Sequence, residues 1–334
     1  MSNSHRLKGA AQLLEAVRSG DTLALARAIS EVENRSLVGL ELGLSAQDFG
    51  ARTRTLGITG PPGAGKSSLI NALISELLPS YPRIGVLTVD PSSPISGGAV
   101  LGDRVRMAAH SANRDVFIRS LAARGHLGGV TRATKAVIAL MAIAEFDLII
   151  VETVGTGQSE VEVAELTDVK IVVCAPGMGD EMQAIKAGVL EIADLLVVNK
   201  ADLPDADRTA NFLKGMLMHR GHDERRTALK VSATKRDGLT DLAHAIHARL
   251  LAESAATRGE VTDNEDPHRR LVRDVADLAA AFLRESSDPH IGALVRKASE
   301  GEIGRHQAAK EALRFLATQA DLSVAPGQST KIKI

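Results

Sequence analysis

The sequence predicts an α/β fold with a mostly parallel central sheet flanked by helices. Between Thr55 and Leu251, short β-branched runs alternate with segments of helical periodicity. The runs are almost continuously apolar, as is typical of parallel strands buried on both faces. With only 2% aromatic residues, the predicted core is aliphatic. The predicted strands are, in order, Leu56–Thr59, Ile84–Val89, Val116–Ile118, Leu148–Glu152, Lys170–Cys174, Leu195–Asn199 and Leu229–Ser232.

Helical segments precede and follow this region. From Leu7 to Gly50 the apolar residues recur at helical spacing around a break at Gly20-Asp21, which predicts a helical hairpin. The stretch from Glu253 to Pro267 is polar and charged, which indicates a linker. Amphipathic helices are predicted beyond it at Leu271–Arg284 and Ile303–Thr318. We therefore predict three parts, namely an N-terminal helical extension (1–50), an α/β domain (51–252), and a linker with a C-terminal helical arm (253–334).

Composition argues against several classes of protein. A net charge of −1 and a pI near 6.8 provide no overall field for attracting nucleic acid or an anionic membrane surface. The few aromatic residues provide no platform for stacking bases. Glu145 and Asp147 interrupt the longest apolar stretch, which is shorter than the ~20 residues of a membrane-spanning helix. Cys174 is the single cysteine and is expected to pack as a small apolar residue in a reducing compartment. We expect a cytoplasmic protein without nucleic-acid or membrane partners.

The strongest motif follows the first predicted strand and reads Gly60-Pro61-Pro62-Gly63-Ala64-Gly65-Lys66-Ser67-Ser68. Its Gly-x4-Gly-Lys-Ser pattern, between a strand and a predicted helix over Ser68–Leu78, is that of a phosphate-binding P-loop. Gly63 and Gly65 permit backbone angles that direct N–H groups towards phosphate oxygens. Lys66 is expected near the β- and γ-phosphates, and Ser67 is expected to ligate Mg²⁺. An ordinary glycine-rich turn would not require Lys-Ser at this offset.

A second motif follows the predicted strand at Leu195 and reads Asn199-Lys200-Ala201-Asp202. At the carboxyl edge of a parallel sheet, these side chains are placed where α/β proteins bind ligands. The Asp202 carboxylate can accept hydrogen bonds from guanine N1 and the exocyclic amino group, a pair of donors that adenine does not offer. The motif alone could also be a helix N-cap. Ser232-Ala233, after a later strand, fits the position of a backbone amide that contacts the guanine oxygen.

Two acidic residues end predicted strands between these motifs. Asp90 follows the strand at Ile84, and Glu152 ends the strand that begins at Leu148. Carboxylates at the edge that carries the P-loop are expected to hold Mg²⁺ directly or through water. The alternative for each is a capping or turn residue, particularly for Asp90 before a proline.

Two glycine-bracketed acidic segments suggest loops that rearrange with nucleotide state. They span Gly97–Asp103 and Gly177–Glu181, and the alternative is that they are simple connectors. Arg106 and Lys186 are candidates for the positive charge that stabilises a phosphoryl-transfer transition state. Either could instead be an ordinary surface cation.

Taken in order, these motifs resemble those of the methylmalonyl-CoA mutase-associated GTPases, the MeaB/ArgK/MMAA family of SIMIBI-class P-loop GTPases. The resemblance extends over essentially the whole chain, and the phrase at Glu152 is its most specific part. It rests on the P-loop and on Asp90-Pro91-Ser92-Ser93, Leu101-Gly102-Asp103-Arg104-Val105-Arg106-Met107, Gly128-Gly129-Val130-Thr131-Arg132-Ala133-Thr134, Glu152-Thr153-Val154-Gly155-Thr156-Gly157-Gln158-Ser159-Glu160 and Gly179-Asp180-Glu181-Met182-Gln183-Ala184-Ile185-Lys186.

The resemblance implies a G-protein chaperone that gates the loading and reactivation of an adenosylcobalamin-dependent acyl-CoA mutase. The partner would be methylmalonyl-CoA mutase or a mutase for isobutyryl-CoA or 2-hydroxyisobutyryl-CoA, possibly with an adenosyltransferase. The resemblance also implies bound GTP or GDP with Mg²⁺, slow hydrolysis until the mutase stimulates it, and a homodimer held by the C-terminal arm. This chain alone is not expected to bind cobalamin. The implied catalytic residues are Lys66, Arg106, Glu152 and Lys186, and the implied metal residues are Ser67, Asp90, Asp103 and Glu152.

Three other functions share parts of this pattern. GTPases that insert nickel or zinc carry Cys- or His-rich sites, whereas Cys174 and ten dispersed histidines provide no such cluster. A nucleotide hydrolase that energises amino-acid transport is a second alternative, against which the guanine motif argues. A binding switch without turnover is a third, because no catalytic base is evident after Glu152-Thr153-Val154-Gly155.

Overall fold

The structure, a computed structural model, describes most of the chain. The described residues are 3–49, 53–90, 110, 113–122, 129–153, 166–177, 193–219, 227–256 and 266–320. The helices are α1 (Asn3–Arg18), α2 (Thr22–Glu33), α3 (Leu37–Asp48), α4 (Lys66–Leu77), α5 (Gly129–Ile143), α6 (Ala206–His219), α7 (Leu239–Ala256), α8 (Pro267–Glu285), α9 (Pro289–Ser299) and α10 (Arg305–Ala320). The strands are β1 (Arg54–Thr59), β2 (Ile84–Asp90), β3 (Val116–Ala122), β4 (Leu148–Thr153), β5 (Val169–Cys174), β6 (Leu195–Val198) and β7 (Thr227–Lys230).

The seven strands form one sheet in the order β3-β2-β4-β1-β5-β6-β7. Every neighbouring pair is parallel, which confirms the predicted fold class. In the register of the central strands, Glu152 of β4 pairs with both Ile58 of β1 and Thr88 of β2. The carboxyl ends of the strands therefore lie at one edge, and the residues that follow β1, β4, β6 and β7 come together there.

Both faces of the sheet are covered by helices. On one face α4 and α7 pack against alternate strand residues, including Leu148 and Ile150 of β4. On the other face α1, α2, α3 and α5 pack against the intervening residues, including Ile149 and Val151. Since successive side chains of a strand point to opposite faces, a strand buried on both sides must be apolar throughout. This explains the continuous apolar runs in the sequence.

The N-terminal region contains three helices, so the predicted helical hairpin was wrong. Its first break is as predicted, with Asp21 capping α2 by accepting hydrogen bonds from the Leu23 and Ala24 amides. A second break follows α2, where the Ser36 hydroxyl caps α3 by accepting from the Gly39 amide at 2.9 Å. The short polar connection before Ser36 was overlooked because apolar residues continue at helical spacing on both sides of it.

The C-terminal region also differs from the prediction. Helix α7 extends to Ala256, so the first part of the predicted linker is helical. An additional helix, α9, begins after the N-cap Asp288 with Pro289 in its first turn, a start signal that the sequence contains. None of the described helices is long and apolar enough to cross a membrane.

Helix α8 has two different faces. One face lies against α3 and α5, where the Glu285 carboxylate accepts a hydrogen bond from the Leu37 amide at 2.8 Å and Asp277 pairs with Arg132. Its opposite face carries three exposed apolar side chains, Leu271, Val272 and Val275, which are 63%, 55% and 56% accessible. Helix α8 thus attaches to the N-terminal helices while presenting an exposed apolar stripe.

Candidate nucleotide site

The loop after β1 has the backbone that the sequence predicts for a P-loop. Gly60, Gly63 and Gly65 have φ values of +142°, +79° and +86°, in the region that favours glycine. Gly60 also lies against β5, because a Cβ atom there would be 2.1 Å from the Val173 carbonyl oxygen. A Cβ atom on Gly65 would be 2.5 Å from the Asn199 side-chain nitrogen. Glycine is therefore required at both ends of the loop.

The start of α4 lies at the end of this loop and has the features of an anion-binding helix N-terminus. No described side chain caps the helix at Gly65, so the N–H groups of its first turn face the loop. The Lys66 ammonium group lies inside the loop, donating to the Gly60 carbonyl at 2.7 Å and the Pro61 carbonyl at 3.2 Å. Pro61 and Pro62 have no N–H, so the amide donors after Gly60 begin at Gly63. Among the other predicted loop residues, Ala64 is buried and Ser68 is exposed.

Ser67 and Glu152 come together beside the loop. The Ser67 hydroxyl donates to a Glu152 carboxylate oxygen at 2.9 Å, and both residues are buried. The strand order accounts for this contact, since β4 is next to β1 and Glu152 pairs with Ile58 near the end of β1. A hydroxyl and a carboxylate are oxygen ligands that suit Mg²⁺. The side chains present therefore fit the cation that the sequence analysis expects.

Asn199 connects the second motif to the P-loop. Its side-chain amide donates to the Ala64 carbonyl at 2.9 Å and to the Gly65 carbonyl at 3.3 Å. Its side-chain oxygen accepts from the Ala233 amide at 3.2 Å, and its backbone N–H donates to the Cys174 carbonyl at 2.8 Å. Asn199 is 1% exposed. One buried side chain thus joins the phosphate loop to the segments that follow β6 and β7.

Asp202 occupies an exposed position and is oriented by Ser232. The buried Ser232 hydroxyl donates to an Asp202 carboxylate oxygen at 2.5 Å. This hydrogen bond lowers the pKa of Asp202 from its usual value, with smaller contributions from the Asp202 backbone and the nearby Lys235 charge. Ser232 is itself fixed by two backbone hydrogen bonds with Asp237. The carboxylate therefore stays ionised as an acceptor.

The turn between Asn199 and Asp202 places both residues at the sheet edge. Lys200 has a φ of +55°, and the Ala201 amide donates to the Val231 carbonyl at 2.9 Å. These contacts attach the motif to the end of β7. From the sequence, Ser232-Ala233 is expected to provide only a backbone contact to guanine, whereas in the structure the Ser232 hydroxyl donates to Asp202 and the Ala233 amide donates to Asn199. No local sequence signal reveals either contact.

The remaining predicted site residues are placed only in part. Asp90 is the last residue of β2. The residue before it, Val89, pairs with Thr153 of β4, so the backbone of Asp90 reaches the same edge of the sheet as Glu152. The side chain of Asp90 lies outside the described residues, as do Asp103, Arg106 and Lys186 entirely. The segment 97–103 and residues 178–181 of the second acidic segment also lie outside them.

Cys174 is a packing residue next to the site. It is fully buried at the end of β5 in a cluster with Leu196 and Leu213. Burial raises the pKa of its thiol to about 12, so the thiol remains protonated at neutral pH. This confirms the interpretation of Cys174 as a small apolar residue.

Comparison with protein families identifies one that extends over most of the chain. A sequence model of the family described as "Methylmalonyl Co-A mutase-associated GTPase MeaB" matches residues 25–285. The chain is 36% identical over 322 residues to GTPase ArgK of Escherichia coli (strain K12), covering 92% of this chain and 97% of that protein. It is 40% identical over 196 residues to the mitochondrial methylmalonic aciduria type A homolog of Mus musculus, covering 57% of this chain and 47% of that protein.

A solved structure has the same architecture. The crystal structure described as LAO/AO transport system kinase superimposes with a TM-score of 0.61 at 27% sequence identity. The superposition covers 95% of this chain and 99% of the other. The similarity therefore includes the N-terminal helices and the C-terminal region as well as the sheet.

Proposed function

We propose that this chain, which belongs to the methylmalonyl-CoA mutase-associated GTPase family MeaB, uses GTP binding and hydrolysis to gate coenzyme loading and reactivation of an adenosylcobalamin-dependent acyl-CoA mutase. The proposed GTP binding and hydrolysis are supported by the family and by one observation, namely that Asn199 connects the P-loop to the predicted guanine motif through hydrogen bonds. The mutase half is supported by the family description and by the named mouse relative. In this proposal residues 51–252 carry the nucleotide chemistry.

The P-loop residues bind and position the phosphates. The amide groups of Gly63 and of Gly65 to Ser67 form the cradle, while the Ala64 amide donates to the Pro61 carbonyl within the loop. The positive end of α4 favours the negative charge of a phosphate. Lys66 is already within the loop and places its ammonium charge against the phosphate oxygens. Because this charge is fixed before the reaction, it stabilises charge developing on the transferred phosphoryl group without rearrangement.

Ser67 and Glu152 would hold Mg²⁺ beside the P-loop. The 2.9 Å hydrogen bond between them places two oxygen donors together in a buried position. When bound, Mg²⁺ neutralises negative charge on the phosphate oxygens. Asp90 is proposed to assist from the neighbouring strand, and Asp103 is assigned by resemblance. Arg106 and Lys186 are likewise assigned by resemblance, as cations that complete the charge stabilisation when the mutase is bound.

Asp202 would select guanine. Its carboxylate is held by Ser232 and kept ionised by that hydrogen bond, so it can accept from the N1 and amino groups of guanine. An adenine base would present an acceptor at N1 instead, leaving the carboxylate without a donor. Asn199 and Lys200 connect this selector to the P-loop and the sheet edge. GTP and GDP should therefore bind much more tightly than ATP and ADP.

The exposed face of α8 is the proposed dimer contact. Leu271, Val272 and Val275 form an apolar stripe on a helix whose opposite face is already packed. A second copy could bury this stripe within a two-fold contact of the C-terminal arms, residues 253–334. Analytical ultracentrifugation of Val275→Asp should find monomers at concentrations where the wild type is dimeric. A dimer that persists in this variant would place the contact elsewhere.

Phosphate release from GTP and ATP, with and without purified mutases, tests the functional proposal. Methylmalonyl-CoA, isobutyryl-CoA and 2-hydroxyisobutyryl-CoA mutases are the partners to compare, each with and without an adenosyltransferase. We expect GTP hydrolysis that one mutase accelerates, no cobalamin bound by this chain alone, and loss of turnover in Lys66→Ala. Asp202→Asn is the matched variant, which should keep phosphate binding and lose the preference for guanine.

Two outcomes would contradict different parts of the proposal. A preference for ATP would refute the assigned role of Asp202. If the chain hydrolyses GTP at a rate that none of the mutases changes, the chaperone role is refuted and only the GTPase activity remains supported. The latter result would leave the amino-acid transport alternative open; the solved structure with the same architecture is described as a LAO/AO transport system kinase.

A further inference from the structure

Strand β3 lies at one end of the sheet, where its only strand neighbour among the described residues is β2. The free edge of such a strand carries backbone N–H and C=O groups that need other partners. At the carboxyl end of β3 this partner is Glu33, the last residue of α2, whose carboxylate accepts a hydrogen bond from the Ala122 amide at 3.0 Å. Helix α2 therefore covers the free edge of β3 at the end of the sheet where the nucleotide site lies.

The same carboxylate also binds Arg119 of β3. One Arg119 nitrogen donates to the second Glu33 oxygen at 3.2 Å and to the Ser30 hydroxyl, one turn earlier on α2, at 2.9 Å. The side chains of Glu33 and Arg119 are 14% and 24% exposed, so their charges are partly shielded from water and attract each other more strongly than at the surface. Both oxygens of Glu33 are thus used to join α2 to the end of β3.

The position of Glu33 within α2 is electrostatically unfavourable. The C-terminal end of a helix carries a partial negative charge, which favours a cation in the last turn and disfavours a carboxylate. Helix α2 has no basic residue in its last turn and ends at Glu33 instead. The charge-assisted hydrogen bonds with Ala122 and Arg119 offset this cost. Glu33 therefore stabilises the end of β3 rather than the end of its own helix.

The end of β3 in turn holds the backbone of Asp90. In the register of the sheet, Ala122 is the partner of Asp90, the last residue of β2. The pairing of β2 with β4, on its other side, ends one residue earlier, at Val89 and Thr153. Among the described residues, β3 is therefore the strand that pairs with Asp90. Fraying of the end of β3 would release the backbone of this residue.

We propose that Glu33 is a positioning residue for Asp90. By fixing the last residue of β3, it keeps the end of β2 in place, so that less conformational entropy is lost at Asp90 when Mg²⁺ binds with the nucleotide. This inference rests on the Mg²⁺ role proposed above for Asp90. A residue of the N-terminal helices thereby contributes to the affinity of the site for Mg²⁺.

The Mg²⁺ dependence of GDP affinity tests this role, measured on the full chain with a fluorescent GDP analogue over a series of free Mg²⁺ concentrations. Glu33→Ala should raise the Mg²⁺ concentration of half-maximal effect by about tenfold, at the lower end of what the loss of a group that orients a metal ligand costs. GDP affinity without Mg²⁺ should stay as in the wild type. Glu33→Gln keeps an oxygen acceptor for the Ala122 amide and should restore most of the Mg²⁺ affinity.

A matched control is available on the same helix. Asp21 caps the opposite end of α2 by accepting hydrogen bonds from two amides, so Asp21→Ala also weakens α2 but leaves the contacts with β3 in place. Its Mg²⁺ dependence should be that of the wild type. An equal change in the two variants, or no change in Glu33→Ala, would overturn the proposal. If Glu33→Ala does not fold, Glu33→Asp, whose carboxylate is one methylene shorter, replaces it with the same expectations.

Asp90→Ala separates this inference from the proposed function. Because Glu33 acts through Asp90, adding Glu33→Ala to Asp90→Ala should cause no further loss of Mg²⁺ affinity, whereas independent effects would add. Additive losses would overturn the positioning role of Glu33 and leave the Mg²⁺ role of Asp90 intact. If Asp90→Ala alone leaves the Mg²⁺ dependence unchanged, the proposed role of Asp90 is refuted, and the positioning role of Glu33 is refuted with it.

Discussion

Replacing Asn199 with alanine removes a side chain that has partners on two loops. Its amide nitrogen donates to the carbonyl oxygens of Ala64 and Gly65, and its oxygen accepts from the Ala233 amide. The side chain is almost completely buried, so water does not readily replace it. We expect Asn199→Ala to weaken the phosphate end and the guanine end of the site together.

The expected size of this effect follows from the buried groups that lose their partner. A buried donor or acceptor without a partner costs about 1–3 kcal/mol, and this variant affects the Ala64 carbonyl and the Ala233 amide at least. With two such groups, the free energy of unfolding should therefore fall by about 2–6 kcal/mol. GDP affinity should fall by about tenfold or more, since ~1.4 kcal/mol of lost preorganisation corresponds to a factor of ten.

Denaturant unfolding and titration with a fluorescent GDP analogue and with pyrophosphate, both in the presence of Mg²⁺, measure these effects. Asp202→Ala is the matched control, because it removes the exposed side chain that we propose selects guanine and leaves the P-loop contacts in place. Asn199→Ala should weaken both ligands, whereas Asp202→Ala should weaken only the guanine nucleotide. An Asn199→Ala protein that is as stable as the wild type and retains full pyrophosphate affinity would refute this reasoning.

Three further predictions concern residues around the same edge. Gly60→Ala should abolish nucleotide binding, measured by the same titration, because its Cβ atom would lie 2.1 Å from the Val173 carbonyl oxygen. A ¹³C NMR titration should find that the pKa of wild-type Asp202 is below the usual value for an aspartate, so that its carboxylate is protonated only as the pH falls through this lowered pKa. In Ser232→Ala, the pKa of Asp202 should return towards the usual value, because the hydrogen bond from the hydroxyl is lost. An unchanged pKa in that variant would argue against the hydroxyl as its cause. Cys174 is buried and its thiol pKa is raised to about 12, so it should resist alkylation at pH 8 in the native state and react once the chain is unfolded. Rapid alkylation of the native protein would contradict the burial of Cys174.

The sheet was predictable because burial on both faces leaves a local signature. Leu148 to Val151 must all be apolar when successive side chains enter two different cores, and the fully buried strands β4 and β6 show this pattern most clearly. Helix breaks were less predictable. The turn at Ser36 and the short helix α9 carry cap residues, but their apolar spacing gives no clear boundary.

The site was predictable to the extent that its chemistry is local in sequence. The backbone of the P-loop follows from its own glycines, and the strand order brings Glu152 to Ser67. The hydrogen bonds of Asn199 with the P-loop, and that of Ser232 with Asp202, join segments that are distant in the chain. Such contacts depend on how the segments pack, which the spacing of residue types does not encode.

The strand order also has a consequence for how the protein is made. Strand β1 lies at the centre of the sheet, yet both of its neighbours, β4 and β5, are synthesised long after it, with Arg54 pairing with Leu148 and Leu56 with Val169. During translation the P-loop strand therefore has no hydrogen-bonded neighbour until β4 has left the ribosome, and the guanine selector follows later still. Pairings of this kind between distant segments form slowly. A nascent chain that binds GTP has thus completed its sheet, and guanine nucleotide would favour the finished fold over every partial one.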